Sequence, residues 1–130
     1  MGVIKKVYAH CDVPCGIYET DTARHAADTC LRMVEKYADL GGTSDPEHHN
    51  QAIRIVMYKE EHAMKCKNQL QMLWSDYFKP EHLDQFPDLH EKFWMATKQC
   101  GRVKQTMSIE ECQKLIDMVA DISGMFASTK

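Results

Sequence analysis

The strongest constraint on this chain is its apolar spacing, which repeats every three to four residues in four long stretches and is cut by Gly and Pro between them. The first stretch starts after Thr20 or Asp21, either of which could cap a helix, and runs to about Leu40. Ala23, Ala27, Cys30, Leu31, Val34 and Ala38 mark its apolar face. Gly41, Gly42 and Pro46 break the pattern. A second helix is expected from about Glu47 to Tyr77, with Ile53, Val56, Met57, Met64, Leu70, Leu73, Trp74 and Tyr77 inward. Pro80 ends it, and Pro87 makes a second break. A third helix carries Leu89, Phe93, Trp94 and Ala96 and stops near Gly101. Ser108 with Glu111 reads as a capping box for a fourth, which buries Ile109, Cys112, Leu115, Ile116, Val119, Ile122 and Phe126. Strand alternation is absent. Four amphipathic helices with short connections predict an all-α, antiparallel four-helix bundle.

The 130 residues suit one domain with a real core. The net charge of −3 and the lack of a Lys/Arg stripe argue against nucleic-acid binding. No segment nears the ~20 apolar residues that span a bilayer, so no membrane partner is expected. The leading "MGVIKKVYA" is too short and too charged for a secretory signal. The Met1-Gly2 start does not make a myristoylation site, because Lys6 stands where Ser or Thr is needed. A cytoplasmic location follows as the expectation. Of the six cysteines, Cys30, Cys66, Cys100 and Cys112 fall in helical segments and are expected as reduced, buried or semi-buried thiols.

Cys11 and Cys15 differ. The stretch "AHCDVPCGIYET" puts His10, Cys11, Asp12 and Cys15 together in a non-helical strip, with Pro14 and Gly16 specifying a tight turn. That turn can bring both thiolates to one ion with the imidazole at its edge. Soft thiolates plus nitrogen admit zinc, copper or nickel. A zinc site needs a fourth side chain from elsewhere, such as His62. Cleavage between Ala9 and His10 offers another route. The freed His10 amine, the Cys11 backbone nitrogen and the two thiolates make a square-planar set suited to nickel or copper(II), with the His10 imidazole axial. The familiar bundle metal motifs fail: no histidine has Glu three positions before it, and His90-Glu91 lacks the second His of a zincin. His25, His48, His49, His82 and His90 are expected to be solvated residues without a special role.

"HCDVPCGIY" resembles the nickel hook of the nickel superoxide dismutase family, and "LWSDYFKP" at 73–80 resembles that family's second signature. The likeness extends, more weakly, over most of residues 10–126. It implies a four-helix bundle with an N-terminal metal-binding hook, assembled as a homohexamer, and one nickel ion per subunit. It implies superoxide as substrate, cycled to hydrogen peroxide and dioxygen by Ni(II)/Ni(III). It also implies a leader, residues 1–9, removed by a processing peptidase, then a hook over 10–20 and the bundle over 21–130. By the same resemblance His10, Cys11 and Cys15 are the metal ligands, and Asp12 and Pro14 shape the hook. Tyr18 and Tyr77 flank the open axial side, and Lys79 adds positive potential at the entrance. An ungapped alignment puts Ala26 and His62 where the family usually has the Glu and Arg that orient the axial histidine; Glu19, Asp28 or His62 could substitute. A non-enzymatic nickel or copper carrier with the same hook is the alternative, which the two tyrosines disfavour because a carrier needs no gated axial site.

Overall fold

The structure, a computed structural model, describes residues 17–130. Four long helices dominate: α1 (Asp21–Asp39), α2 (Pro46–Met72), α4 (Leu89–Gln105) and α5 (Ile109–Ser128). The short α3 (His82–Gln85) lies in the link after Pro80, where no helix was expected. Helix α1 packs on α2 and α5, and α4 packs on the same two, so the four form a closed ring. Direction follows from paired contacts. Thr20, before α1, bonds Ser123 near the end of α5, and Trp74, just past α2, bonds His90 at the start of α4. Gln99 meets Glu111 while Lys92 meets Asp121, so α4 and α5 run oppositely. The bundle is antiparallel, as the sequence predicts.

Caps set the helix ends. Asp45 accepts the His48 N–H at 2.9 Å, with Pro46 in the first turn of α2. Ser108 accepts the Glu111 N–H at 3.1 Å, but the Glu111 carboxylate does not return to complete a capping box. It turns instead to the Gln99 amide at 2.7 Å, which holds its carboxyl below the usual range. Thr20 does not cap α1 with its side chain either. Its hydroxyl goes to Ser123 Oγ at 2.7 Å, and Glu19 Oε1 takes the Thr22 N–H at 2.8 Å in its place. Gly41, at φ 74°, ends α1 in the left-handed region that only glycine enters freely.

The core is built from Ala23, Ala26, Ala27, Cys30 and Val34 of α1, Ala63, Cys66 and Leu70 of α2, Leu89, Phe93, Ala96, Cys100 and Val103 of α4, and Cys112, Leu115, Val119, Ile122, Met125 and Phe126 of α5. Small side chains on α1 let its neighbours approach closely. The four cysteines are free and buried, as expected. On α2 the inward face differs from the expected one. Ile53, Met57, Met64 and Trp74 are exposed, and Ala52, Lys59, His62, Ala63, Cys66 and Leu70 are buried. Within it Lys59, Ala63, Cys66 and Leu70, continued by Leu73, recur at alternating spacings of four and three, with His62 beside Ala63. Packing against two neighbours selected that stripe over the one with larger apolar residues. Ala38, Trp94 and Ile109 also face outward, contrary to expectation. Helix α4 runs through Gly101 to Gln105 rather than stopping there.

Lys59 is the least expected core residue, at 2% exposure. Its ammonium donates to the Lys104 carbonyl at 3.1 Å and to the Thr106 carbonyl. These carbonyls belong to the end of α4, where backbone acceptors lack helical partners and the dipole favours a cation. Desolvation still pulls the Lys59 ammonium below its ordinary range.

Candidate metal centre

The three residues before α1 and the segment after α2 meet at one end of the bundle. Helix α2 does not end as a plain α-helix. Its last turn, Leu73–Tyr77, widens into a π-helical turn, closed by the Phe78 N–H on the Leu73 carbonyl at 3.3 Å. Such turns re-aim side chains relative to the regular helix and recur at functional sites. Here the turn sets the Tyr77 ring 5.5 Å from the Tyr18 ring, centroid to centroid, at 56°. Tyr77 also packs on Phe126 at 4.7 Å, edge-on to Phe78 at 5.1 Å and parallel to His82 at 6.0 Å. Both tyrosines are half-buried and rest against the core. Two elements remote in sequence therefore make one aromatic wall, directly after the Cys/His strip.

Hydrogen bonds hold that wall. The Tyr77 hydroxyl lies 2.6 Å from Thr129 Oγ1, which lies 2.6 Å from the Phe126 carbonyl. Lys130 Nζ stands 4.5 Å from the Phe126 centroid and 6.0 Å from that of Tyr77. The Lys79 N–H donates to His82 Nδ1 at 3.0 Å, and this keeps the ring that faces Tyr77 in place. The Lys79 residue itself is exposed. His90 accepts from Trp74 Nε1 at 2.9 Å. His82 and His90 thus serve the structure and are not merely solvated. Thr129 and Lys130 were absent from the sequence expectation, and His82 was expected only as a solvated residue. Thr129 lies 52 positions from Tyr77, and no local pattern announces such a pairing.

His10, Cys11 and Cys15, with Asp12 and Pro14, lie outside the described residues. Ala26, His62 and Glu19, named from the sequence in connection with the axial histidine, are among the described residues. Ala26 is buried and has no polar group to offer. His62 is buried against Tyr58, with ring centroids 4.2 Å apart. Its Nδ1 sits 2.9 Å from the Tyr58 carbonyl and must donate, so Nε2 is the nitrogen left with a lone pair in the neutral ring. Glu19 is different: its Oε2 is buried and finds no hydrogen-bond partner among the described residues. A buried carboxylate oxygen without a donor is costly and points to a group not yet counted.

Among the described residues no group of three or more His, Cys, Asp or Glu is disposed to hold a metal ion. Three of the four core cysteines are poor ligands as they stand. Burial pushes the Cys30 thiol up to about 12 and the Cys112 thiol up to about 11. A hydrogen bond with Cys100, and then burial, raises Cys66 further. A metal binds thiolate rather than thiol, so the described bundle offers little competition to the thiolate and imidazole donors of the N-terminal strip. That donor set fits nickel, because anionic thiolate and amide donors stabilise its higher oxidation state.

The all-α bundle is matched by a class of metal-dependent oxidoreductases. The family model for nickel-containing superoxide dismutase matches residues 5–130. The chain is 38% identical to the nickel superoxide dismutase of Streptomyces seoulensis over 96% of its length and 91% of the relative's. It is 37% identical to that of Streptomyces coelicolor, over 95% and 90% of the two chains. It also superimposes on the native crystal structure of a nickel superoxide dismutase with a TM-score of 0.81 at 35% identity, covering 92% of this chain and 98% of the other. The oxidised-state crystal structure of a nickel-containing superoxide dismutase gives a TM-score of 0.82 at 36% identity, covering 92% and 97%. The chain belongs to the nickel-containing superoxide dismutase family. It is a nickel-dependent oxidoreductase that converts superoxide to hydrogen peroxide and dioxygen, which sets the carrier reading aside.

Proposed function

We propose that residues 1–9 are a leader removed on maturation, and that the freed strip holds one nickel ion per subunit through His10, Cys11 and Cys15. In this reading residues 10–20 form the hook and 21–130 the bundle. The His10 amine and imidazole, the Cys11 thiolate and backbone nitrogen, and the Cys15 thiolate are the donors, with Asp12 and Pro14 shaping the turn. When bound, nickel supplies the one-electron couple that takes an electron from one superoxide and gives one to the next. The observation that best supports the reading is the Tyr18–Tyr77 wall immediately beyond the strip.

The chain's own residues have separable tasks. The two rings narrow the approach to small species. Lys79 and Lys130 put positive charge near that wall, which draws an anionic substrate. Glu19, with its unpartnered oxygen at the start of α1, suits the task of orienting the His10 imidazole, which Ala26 cannot perform. Assembly into a homohexamer is part of the proposal. Exposed Ile53, Met57, Tyr58 and Met64 on α2, with Trp94 and Met95 on α4, offer apolar surface for neighbouring subunits to cover. We place the mature protein in the cytoplasm, a reading supported by its free core thiols.

The decisive experiment uses the cleavage. Protein cut after Ala9 and given nickel is expected to hold about one ion per chain and to be active. Cys11→Ser and Cys15→Ser should each abolish tight binding. Protein retaining a single residue before His10 should stay largely inactive, because a peptide nitrogen is not an amine donor. Full dismutase activity from verified uncut chain would overturn the proposal.

A further inference from the structure

Two short contacts fix where the proton of Tyr77 goes. Thr129 Oγ1 is 2.6 Å from the Phe126 carbonyl and 2.6 Å from the Tyr77 hydroxyl. A carbonyl oxygen has no proton to give, and a threonine hydroxyl has one. The contact with Phe126 therefore uses the Thr129 proton. The contact with Tyr77 must then run the other way, with the phenol as donor. The remaining surroundings of the ring are rigid: Phe78, His82 and Phe126 pack on it, and Thr129 is pinned at the end of α5 by its own N–H on the Phe126 carbonyl at 3.1 Å.

We infer that Thr129 is a positioning residue for dismutation: it takes the phenolic proton of Tyr77 and leaves the Tyr77 oxygen as a hydrogen-bond acceptor only. The inference rests on Tyr77 flanking the metal centre. It adds a hydrogen-bonding task to the narrowing of access given to that tyrosine. A phenol that spends its only proton on Thr129 cannot donate to superoxide or to another small anion. It can accept from a protonated species, such as water or the hydrogen peroxide product. At Tyr77 the wall then offers no donor to an anion and can receive a protonated product. Thr129 sets this preference without touching either. Loss of the Thr129 hydroxyl frees the phenolic proton, and the same ring becomes an anion donor.

The sign of that change separates positioning from plain structural support. Azide serves as the anion probe, on cut, nickel-loaded enzyme. Thr129→Val keeps the side-chain shape and removes the acceptor. It is expected to tighten azide inhibition by about fivefold, the usual worth of one hydrogen bond. Thr129→Ser should behave as the parent, and Tyr77→Phe together with Thr129→Val should lose the gain. A residue that only braced the fold would loosen azide or leave it unchanged. An independent readout needs no metal. In full chain carrying tyrosine labelled with carbon-13 at Cζ, the Tyr77 signal, assigned by its absence in Tyr77→Phe, should show a slowly exchanging hydroxyl proton. That slow exchange should persist in Thr129→Ser and vanish in Thr129→Val. Unchanged exchange in Thr129→Val overturns the inference. So does unchanged azide inhibition in Thr129→Val when Tyr77→Phe alters it. If slow exchange vanishes in Thr129→Val while azide inhibition is unchanged in that variant and in Tyr77→Phe alike, the placement of Tyr77 beside the centre is what falls.

Discussion

Cys30 sits on α1 with its thiol donating to the Lys59 carbonyl at 3.5 Å, out of reach of solvent. Burial raises its pKa from 9.0 to about 12, and that of Cys112 from 9.0 to about 11. The unfolded chain loses these protons near pH 9 and the folded chain holds them. The folded state then binds more protons, so stability is full below pH 9 and falls as pH rises toward the folded values. Cys30→Ala should lessen that fall by up to about 1.4 kcal/mol per pH unit relative to the parent, read from urea unfolding at about pH 8 and about pH 10. Identical slopes would mean the thiol is not desolvated. The same chemistry separates the two kinds of cysteine here. Cys30, Cys66 and Cys112 hold their protons, while the proposed ligands Cys11 and Cys15 lie in a strip with no helical packing pattern.

Elements show a second kind of compromise. Gly101 lies inside α4 with an ordinary helical backbone, and a Cβ built on it meets nothing within 4 Å. Glycine in a helix interior costs about 0.5–1 kcal/mol relative to alanine. Gly101→Ala should therefore raise stability by about that amount, seen as a higher midpoint in urea unfolding with the slope unchanged. A loss of stability would reveal a close neighbour that the packing does not contain. Helix α2 makes the opposite trade at its end. It gives up regular hydrogen bonding over Leu73–Tyr77, and the π-helical turn carries Tyr77 to the wall with Tyr18.

On the scale of the whole molecule, the outward apolar face of α2 and the exposed Trp94 of α4 call for cover. If neighbouring subunits supply it, Met57→Glu and Trp94→Glu should each shift sedimentation from the assembled form toward single chains while helicity is kept. Assembly equal to the parent in both variants would locate the subunit contact elsewhere. No helix among the described residues is long and apolar enough to cross a membrane.

Periodicity with the Gly and Pro breaks determined the four long helices and their antiparallel arrangement, because each helix must bury one stripe and short links leave few ways to do so, while α4 runs past the expected stop at Gly101. Two short motifs were enough to point to the family and its metal, since donor type and spacing are local properties. Which stripe of α2 turned inward was not local. Lys59, His62 and Cys66 face the core, and Met57 does not, because the neighbours α1 and α4 and the acceptors at the end of α4 choose the face. Nor could spacing reveal that Glu111 prefers Gln99 to a capping box, or that Glu19 rather than Thr20 caps α1. The bond between Tyr77 and Thr129 belongs to the same group. Hydrogen bonds between distant segments depend on where helix ends fall in space, to within an ångström, and only the packed bundle decides that.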